Sequence, residues 1–410
     1  MVPFGPLLAA LAAIRDPRRP QGQRYCMSHL LLFSVLAVLA GATSYQKIIT
    51  FIAVQRDRLN AAFGACIRRA PAVNTLRNLF LALGRDDLEA AFRRHARELN
   101  GTIRANGTRT IALDGKTLRG SFDHLSDQKA AHVLSAFASD AALILAHQEV
   151  AGAPGEIPAV PRLITELGLT GVLFTADALH CQKDGFTRAA ETGNALLVRV
   201  KDNQPKLHDA LAGLCVEQLP LDSYETVDRR RHGRQEHRVV EVFDATGRLD
   251  GEWQPLIACV ARVSRLTYAK DTRSGLWPAR KEVGYYACQI RLDAKILARA
   301  IRSHWGIENR DHYVRDVTMG EDDSRIRQRP GRMARIRSAA LNILRVNGVQ
   351  NVSQTLYANA LRAFSDWGWG VKLLLVPAAP VGHSLLSAVG ALAAASWGPE
   401  GRRPNLYGDL

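Results

Sequence analysis

Along the first hundred residues the apolar positions recur at helical spacing. The run LLLFSVLAVLAGA, Leu30 to Ala42, is apolar for about 13 residues, short of the ~20 that a membrane span needs, and reads as a buried core helix. YQKIITFIAVQ continues at helical spacing. NTLRNLFLALGRDDLEAAFRRHARELNG reads as two amphipathic helices split near Gly84, the second ending at Gly101. Their cations face either solvent or DNA.

The pattern changes at Thr108. TRTIALDGK is a short β-rich run ending in an acid, and HVLSAFA and ALILAHQEV are further strand candidates. EIPAVPRLITELG reads as a helix, GVLFTADA as a buried strand ending in a second acid, KDGFTRAAETG as a helix and NALLVRVK as a strand. Strands that first meander and then alternate with helices predict an α/β fold, a mixed sheet covered by helices. From about Asp222 to Cys288 the character is β, with a basic hairpin around RRRHGRQ and strands in LIACVARVSRL and EVGYYACQI. Helical spacing returns after Asp293, a candidate N-cap, in AKILARAIRSHWGIEN; MARIRSAALNILRVNG reads as a last amphipathic helix. Beyond Gln350 the tail holds three Trp and an Ala-rich run, SLLSAVGALAAASWG, with no evident chemistry, and the chain shows no internal repeats.

Composition narrows the classes. At 410 residues, 47% hydrophobic and 23% charged, the chain can bury a sizeable core in two or three domains. Its net charge of +15 favours a polyanionic partner, nucleic acid or an acidic membrane surface. The six cysteines are scattered without a C-x-x-C pair, which argues against a structural zinc or a disulfide framework and fits a reducing cytoplasm. No basic region precedes the first apolar run, so the N-terminus is a poor signal peptide.

Three carboxylates stand out by position. Asp114 ends the strand-like TIALD and Asp177 ends VLFTAD. Strand ends in α/β sheets are where ligand sites gather, and a buried run ending in an Asp suits a hard cation. Either Asp alone would serve equally as a turn or helix cap; two such strands in one sheet favour a shared site. Leu297, Ile301 and Trp305 stand four apart and predict an apolar helix face, with Glu308 seven beyond Ile301 at its edge. His304 and His312 flank Glu308 at four-residue spacing, but this is not the H-E-x-x-H zinc pattern. Two Asp on neighbouring strands and a late Glu could hold two divalent metals at a phosphodiester, one activating water or a 3′-hydroxyl and the other stabilising the leaving oxygen. On this expectation the acids serve the metals, and the Arg of SHWGIENRDHYVRDVTMGEDDSRIR, with the surrounding Arg and Lys, serve phosphates.

The motifs IALDGKTLRGS, TADALHCQK, VKDNQPKLHDAL, HGRQEHR, YYACQIRLDAKILARAIRSHWGIEN and RDVTMGEDDSRIR occur in this order. Together they resemble the DDE-type insertion-sequence transposases, in the group that includes the H-repeat-associated proteins. The similarity covers roughly residues 16 to 348, including a helical start that resembles the region preceding the catalytic part in that group. It implies an RNase H-like mixed-sheet core interrupted by a β-rich insertion and preceded by an α-helical N-terminal domain. The expected divisions are a helical domain over 1–104, a candidate DNA-binding unit, and the first part of the core over 105–221. An insertion over 222–290, the second part of the core with the Glu helix over 291–350, and a tail over 351–410 follow.

The resemblance further implies Mg²⁺-dependent cleavage at transposon ends, Mn²⁺ being a possible substitute, then transfer to target DNA. Asp114, Asp177 and Glu308 fall on the family's catalytic and metal-binding acids. Arg315 stands where related enzymes carry a phosphate-contacting base seven positions after the Glu. The wider superfamily has an Arg four positions before it; here that place holds His304, with Arg302 nearby. Lys116 and Arg119 follow the first Asp as DNA contacts or as a solvated loop. Lys201 and Asn203 lie in VKDNQP, where Asp202 replaces the Gly of the family's VKGNQP. The implied partner is double-stranded DNA, both transposon ends and target, bound by a homodimer or larger complex in the bacterial cytoplasm, at the nucleoid when acting, with no membrane. The alternatives are a non-catalytic DNA-binding remnant, a host nuclease on the same fold, and a membrane-associated basic protein that would leave the acids unexplained. The tail after about Asn351 does not resemble the group.

Overall fold

A computed structural model of the chain describes residues 4–101, 108–122, 129–150, 155–230, 234–271 and 273–364. The tip of the basic hairpin and the Ala-rich run of the tail lie outside the described residues. Five helices lead: α1 (Phe4–Ala12), α2 (Met27–Leu39), α3 (Tyr45–Phe63), α4 (Val73–Ala82) and α5 (Arg85–Gly101). There follow β1 (Thr110–Thr117), β2 (His132–Ala138), β3 (Leu143–Val150), α6 (Glu156–Leu167), β4 (Leu173–Ala176), α7 (Lys183–Glu191), β5 (Ala195–Val200) and α8 (Pro205–Glu217). Strands β6 (Asp222–Arg230), β7 (Arg234–Asp244), β8 (Cys259–Ala269) and β9 (Ala279–Cys288) precede α9 (Ala294–His304), α10 (Gly331–Val346) and α11 (Val352–Phe364).

All nine strands form one sheet in the order β3-β2-β1-β4-β5-β9-β8-β7-β6. The first three meander antiparallel, and β4 and β5 then add in parallel. This five-strand arrangement is the RNase H-like core. The expected β-rich insertion does not form a separate sheet. It returns as β9, which pairs antiparallel with β5 from Leu197↔Cys288 to Val200↔Tyr285, and the other three strands extend the same sheet outward.

Both faces of the core are covered, which is why β2 is buried at every position. On one face Ile111, Leu113 and Phe174 pack with Leu163 of α6, Phe186 of α7 and Leu211 of α8. On the other, Ala112, Phe137 and Ile144 join the core of the leading helices and α10. The apolar run from Leu30 is thus a core helix of this assembly, with Leu30 to Phe33 fully buried. Pro20–Leu39 is the one described stretch long and apolar enough to cross a membrane, and most of it is buried inside the protein.

Two expectations need correction, and a third holds in position without its usual bond. α10 is not amphipathic: Gly331 to Leu344 are all buried. It carries polar groups inward because they have partners. The Asn342 side chain accepts from Ile144 N–H (2.9 Å) and donates to Ile144 C=O (2.7 Å), and Arg335 donates to Glu89 (2.6 Å) and Glu149 (2.8 Å). α10 is also not the last helix, since α11 follows, with Asn359 donating to Leu39 C=O at 2.9 Å. Asp293 stands at the N-cap of α9 without a side-chain cap bond; Asp222 of β6 instead accepts from Ala294 N–H at 2.8 Å.

Asn342→Ala leaves a buried strand N–H and C=O of Ile144 without partners. We expect a loss of about 2–3 kcal/mol in the midpoint-derived stability by denaturant unfolding. A loss under ~0.5 kcal/mol would show that α10 is not fastened to β3 through this contact.

Candidate active site

β1 and β4 run parallel, and their pairing ends at Leu113↔Ala176. The next residues are Asp114 and Asp177, so two carboxylates stand on strands ~4.8 Å apart. Asp114 is not at the end of its strand, as expected from sequence. β1 continues to Thr117, still paired with β2, while β4 stops and the chain turns away. That difference opens a crevice beside Asp114. Asp177 also acts as a cap, its Oδ1 accepting from Leu179 N–H at 3.1 Å, and its side chain remains half exposed.

α9 crosses β1 and β4 with Leu297 and Ile301 buried as the spacing predicts; Trp305 departs from that face and is 43% exposed. Glu308 follows three residues later. Asp114, Asp177 and Glu308 line one cavity of about 120 Å³, together with Arg199, Lys201 and His304. Burial pushes the Asp114 carboxyl up to about 8, helped by repulsion from Asp177, Glu308 and Glu156. Burial and Asp177 likewise raise Glu308. His304 is held down to about 4, chiefly by burial, and shares a 3.1 Å hydrogen bond with Thr175 Oγ1. It is therefore a neutral group at neutral pH.

Three mutually repelling carboxylates are the donor set of a hard divalent cation, which would relieve that repulsion. Their side chains do not converge on one point: among the described residues no three or more His, Cys, Asp or Glu are arranged to hold a metal ion. The donors fit in kind, and coordination requires the side chains to turn inward. The His304–Glu308–His312 face does not form a zinc site either.

The chain beyond α9 explains why. Glu308–His312 and Val314–Thr318 are π-helical turns, closed for instance by Met319 N–H to Val314 C=O (3.0 Å). Closure over five residues widens the turn, so a seven-residue spacing no longer returns to the same face. Glu308 faces the cavity while Arg315 is fully buried. The expected phosphate contact by Arg315 is corrected accordingly. Its guanidinium donates to Glu321 (2.6 and 3.0 Å) and lies 3.4 Å from Asp311.

Lys116 is corrected in the same way. It is buried, and its Nζ pairs with Glu321 at 2.7 Å and with Asp316. Arg337 Nη1 approaches Glu321 at 3.6 Å. So these inner cations do neutralise acids, contrary to the division of labour read from sequence. The cluster reaches the site through His312, whose Nδ1 is 3.4 Å from Asp114 and which burial, Arg315 and Lys116 push down to about 3.

The remaining residues expected at DNA lie outside this cluster. Arg119 is exposed and 3.9 Å from Asp322. Arg302 pairs with Asp228 at 2.5 Å and is half exposed. Lys201 and Asn203 are exposed, and Asn203 donates to Ala178 C=O at 2.6 Å, tying the β5 loop to the turn after Asp177. Asp202 is tolerated in place of Gly because only Ala142 and Arg329 among the described non-glycine residues have positive φ.

Sequence reasoning gave no role to Glu156, His132 or Asp311, and held Glu321 only as a reserve acid. His180 lay in a quoted motif without a role. His132 and Glu156 stand 24 residues apart and no local spacing signals them; Asp311 and Glu321 meet Arg315 from four and six residues away, a pairing that the π turns hide from a 3.6-residue reading.

Residues 105–344 match the family described as "Transposase DDE domain", and residues 8–96 one described as "DDE_Tnp_1-associated". The chain is 32% identical over 357 residues to the Escherichia coli K12 protein YbfL, covering 82% of this chain and 90% of that one. It is 31% identical over 357 residues to "H repeat-associated putative transposase YhhI" of the same organism, with the same coverage of 82% and 90%. A solved piggyBac transposase synaptic complex with hairpin DNA aligns over 88% of this chain and 76% of its own, at 12% identity and a TM-score of 0.42.

The buried cluster predicts a pH dependence. Burial opposes the charge on Glu321, but Arg315, Lys116 and Arg337 outweigh it and hold the carboxyl down at about 2, against 4.5 ordinarily. A depressed carboxylate stabilises the fold fully above the unfolded value, and that contribution is lost as pH falls from ~4.5 through ~2. It amounts to roughly 3 kcal/mol. Glu321→Gln should be destabilised by about 3–5 kcal/mol at pH 7. Denaturant unfolding should also show a flatter acid limb for this variant; equal acid limbs would contradict the pairing.

Proposed function

The chain belongs to the transposase DDE family, and on that footing we propose that it cuts phosphodiesters at insertion-sequence ends and joins the freed strands to target DNA. The observation that carries this reading is the meeting of Asp114, Asp177 and Glu308, from three distant motifs, in one cavity. They are the proposed holders of Mg²⁺, with Mn²⁺ as a substitute. When bound, divalent ions supply Lewis acidity for the attacking water or 3′-hydroxyl and for the leaving oxygen.

The chain's own residues then divide the work. The acids stand at the crevice between β1 and β4, where a phosphodiester can approach from solvent. Trp305 borders that cavity and a second depression of about 380 Å³ lined by Arg238, Arg265, Arg302 and Arg310. An arginine-lined hollow beside the acids suits a DNA backbone, the cations fixing its register and an exposed indole offering a face for a base. Arg119, Lys201, Arg302 and His304 remain the proposed DNA-side residues from sequence, with Asn203 shaping the loop that carries Lys201. Lys116 and Arg315 act instead from inside, holding the Glu308 segment against β1. Residues 1–104 are proposed as a helical unit that helps bind the ends. Two ends must be paired, so the proposed form on DNA is a homodimer or larger, acting at the bacterial nucleoid in the cytoplasm.

Metal-dependent cleavage of a labelled duplex bearing the element's own ends tests the reading. Asp114→Asn, Asp177→Asn and Glu308→Gln should each lower cleavage by roughly a hundredfold or more while DNA binding persists. Cleavage that survives one substitution removes that acid from the site. A wild type that binds the ends but cuts under no divalent metal would favour a binding relative on the same fold. Arg238→Ala with Arg265→Ala should weaken duplex binding and lower its salt slope by up to about 2; an unchanged slope would remove the hollow from the DNA path.

A further inference from the structure

A fourth carboxylate lies directly behind the three. Glu156, in the first turn of α6, is buried, with its carboxylate packed against the backbone of Gly115, the residue after Asp114. A Cβ at Gly115 would overlap that carboxylate, so only glycine leaves room for it. One histidine bonds it and a second, buried and without a formed hydrogen bond, stands within reach. His132 Nε2, from β2, bonds to its Oε1, and His132 Nδ1 shares a 2.9 Å hydrogen bond with Thr117 Oγ1. His180 Nε2 lies 3.2 Å from its Oε2 and 3.8 Å from Asp177 Oδ1. His180 is 2% exposed, and its two carboxylate neighbours come from different elements.

Burying a carboxylate beside three others is costly unless it is well paired. Burial works against its charge, but the bond from His132 and the nearness of His180 outweigh it and hold the carboxyl down at about 2. It stays an anion that faces no solvent and lines no part of the cavity. Its charge is felt at Asp114. A structural ion pair would not need to sit behind the reacting acids.

We propose that Glu156 is a non-ligating fourth acid of the metal site and that His180 is a positioning residue, its Nε2–H shared between Glu156 and Asp177. Glu156 deepens the negative potential for a divalent cation. His180 fixes the Asp177 carboxylate from one side while Leu179 N–H fixes it from the other. The proposal rests on the reading of Asp114, Asp177 and Glu308 as metal-holding acids.

The test is Mn²⁺ binding to the full-length protein without DNA, followed by electron paramagnetic resonance of the free ion, with circular dichroism as the fold control. Wild type should bind Mn²⁺, and Asp114→Asn should abolish that binding. Glu156→Gln and His180→Ala should each weaken it about tenfold or more. His180→Gln, which restores an N–H donor near the Nε2 position, should recover most of the loss. Equal affinities in wild type, E156Q and H180A overturn the proposal while leaving the three-acid reading intact. So does a loss in H180A that H180Q fails to recover, since a specific donor would then not be the cause. If H180A or E156Q does not fold, the surviving variant and H180Q decide by the same comparison. A wild type that takes up no Mn²⁺ removes the three-acid reading, and this proposal with it.

Discussion

Like charges gathered at one end of a sheet are the constraint around which this protein is organised. Asp114, Asp177 and Glu308 share a cavity, and burial, helped by their repulsion, drives Asp114 up to about 8. Left alone, such a set would push apart or take up protons. The parallel pairing of β1 with β4 prevents the first outcome, because it fixes two of the acids on neighbouring strands. A divalent cation is what would prevent the second.

The third acid is held by a different device. Glu308 opens a run of π-helical turns, and these send Arg315 into the interior, where it meets Asp311 and Glu321. Lys116, two residues after Asp114 on β1, reaches the same Glu321. The Glu308 segment and the Asp114 strand are therefore clamped to each other through buried opposite charges. Such a cluster is weak evidence for stability by itself, since desolvation offsets much of the attraction. Its value here is geometric: it fixes which side of the chain faces the cavity.

Much of the sheet was legible from sequence because a strand declares itself locally. TIALD, HVLSAFA, GVLFTADA and NALLVRVK each hold a strand, although β1 runs past Asp114 to Thr117 and β4 stops before Asp177, and the acids placed by motif line one cavity. What stayed hidden depends on partners far along the chain. Lys116 and Glu321 are 205 residues apart, and Asn342 and Ile144 are 198 apart. α10 read as amphipathic, yet Arg332, Arg335 and Arg337 each find an acceptor or acid far along the chain. The spacing argument for Arg315 assumed 3.6 residues per turn, and π turns break that assumption. The return of β9 onto β5 also could not be seen from patterning, which gives strands but not their order.

The central claim is that Asp114, Asp177 and Glu308 form one cation-holding centre. The most direct measurement loads the full-length protein with Fe²⁺ in place of Mg²⁺ and adds ascorbate and peroxide, so that hydroxyl radicals cut the chain beside the bound ion. Fragments should map to cuts close to 114, 177 and 308, and excess Mg²⁺ should suppress all of them together. Cuts clustered elsewhere, or none that Mg²⁺ suppresses, would contradict the account.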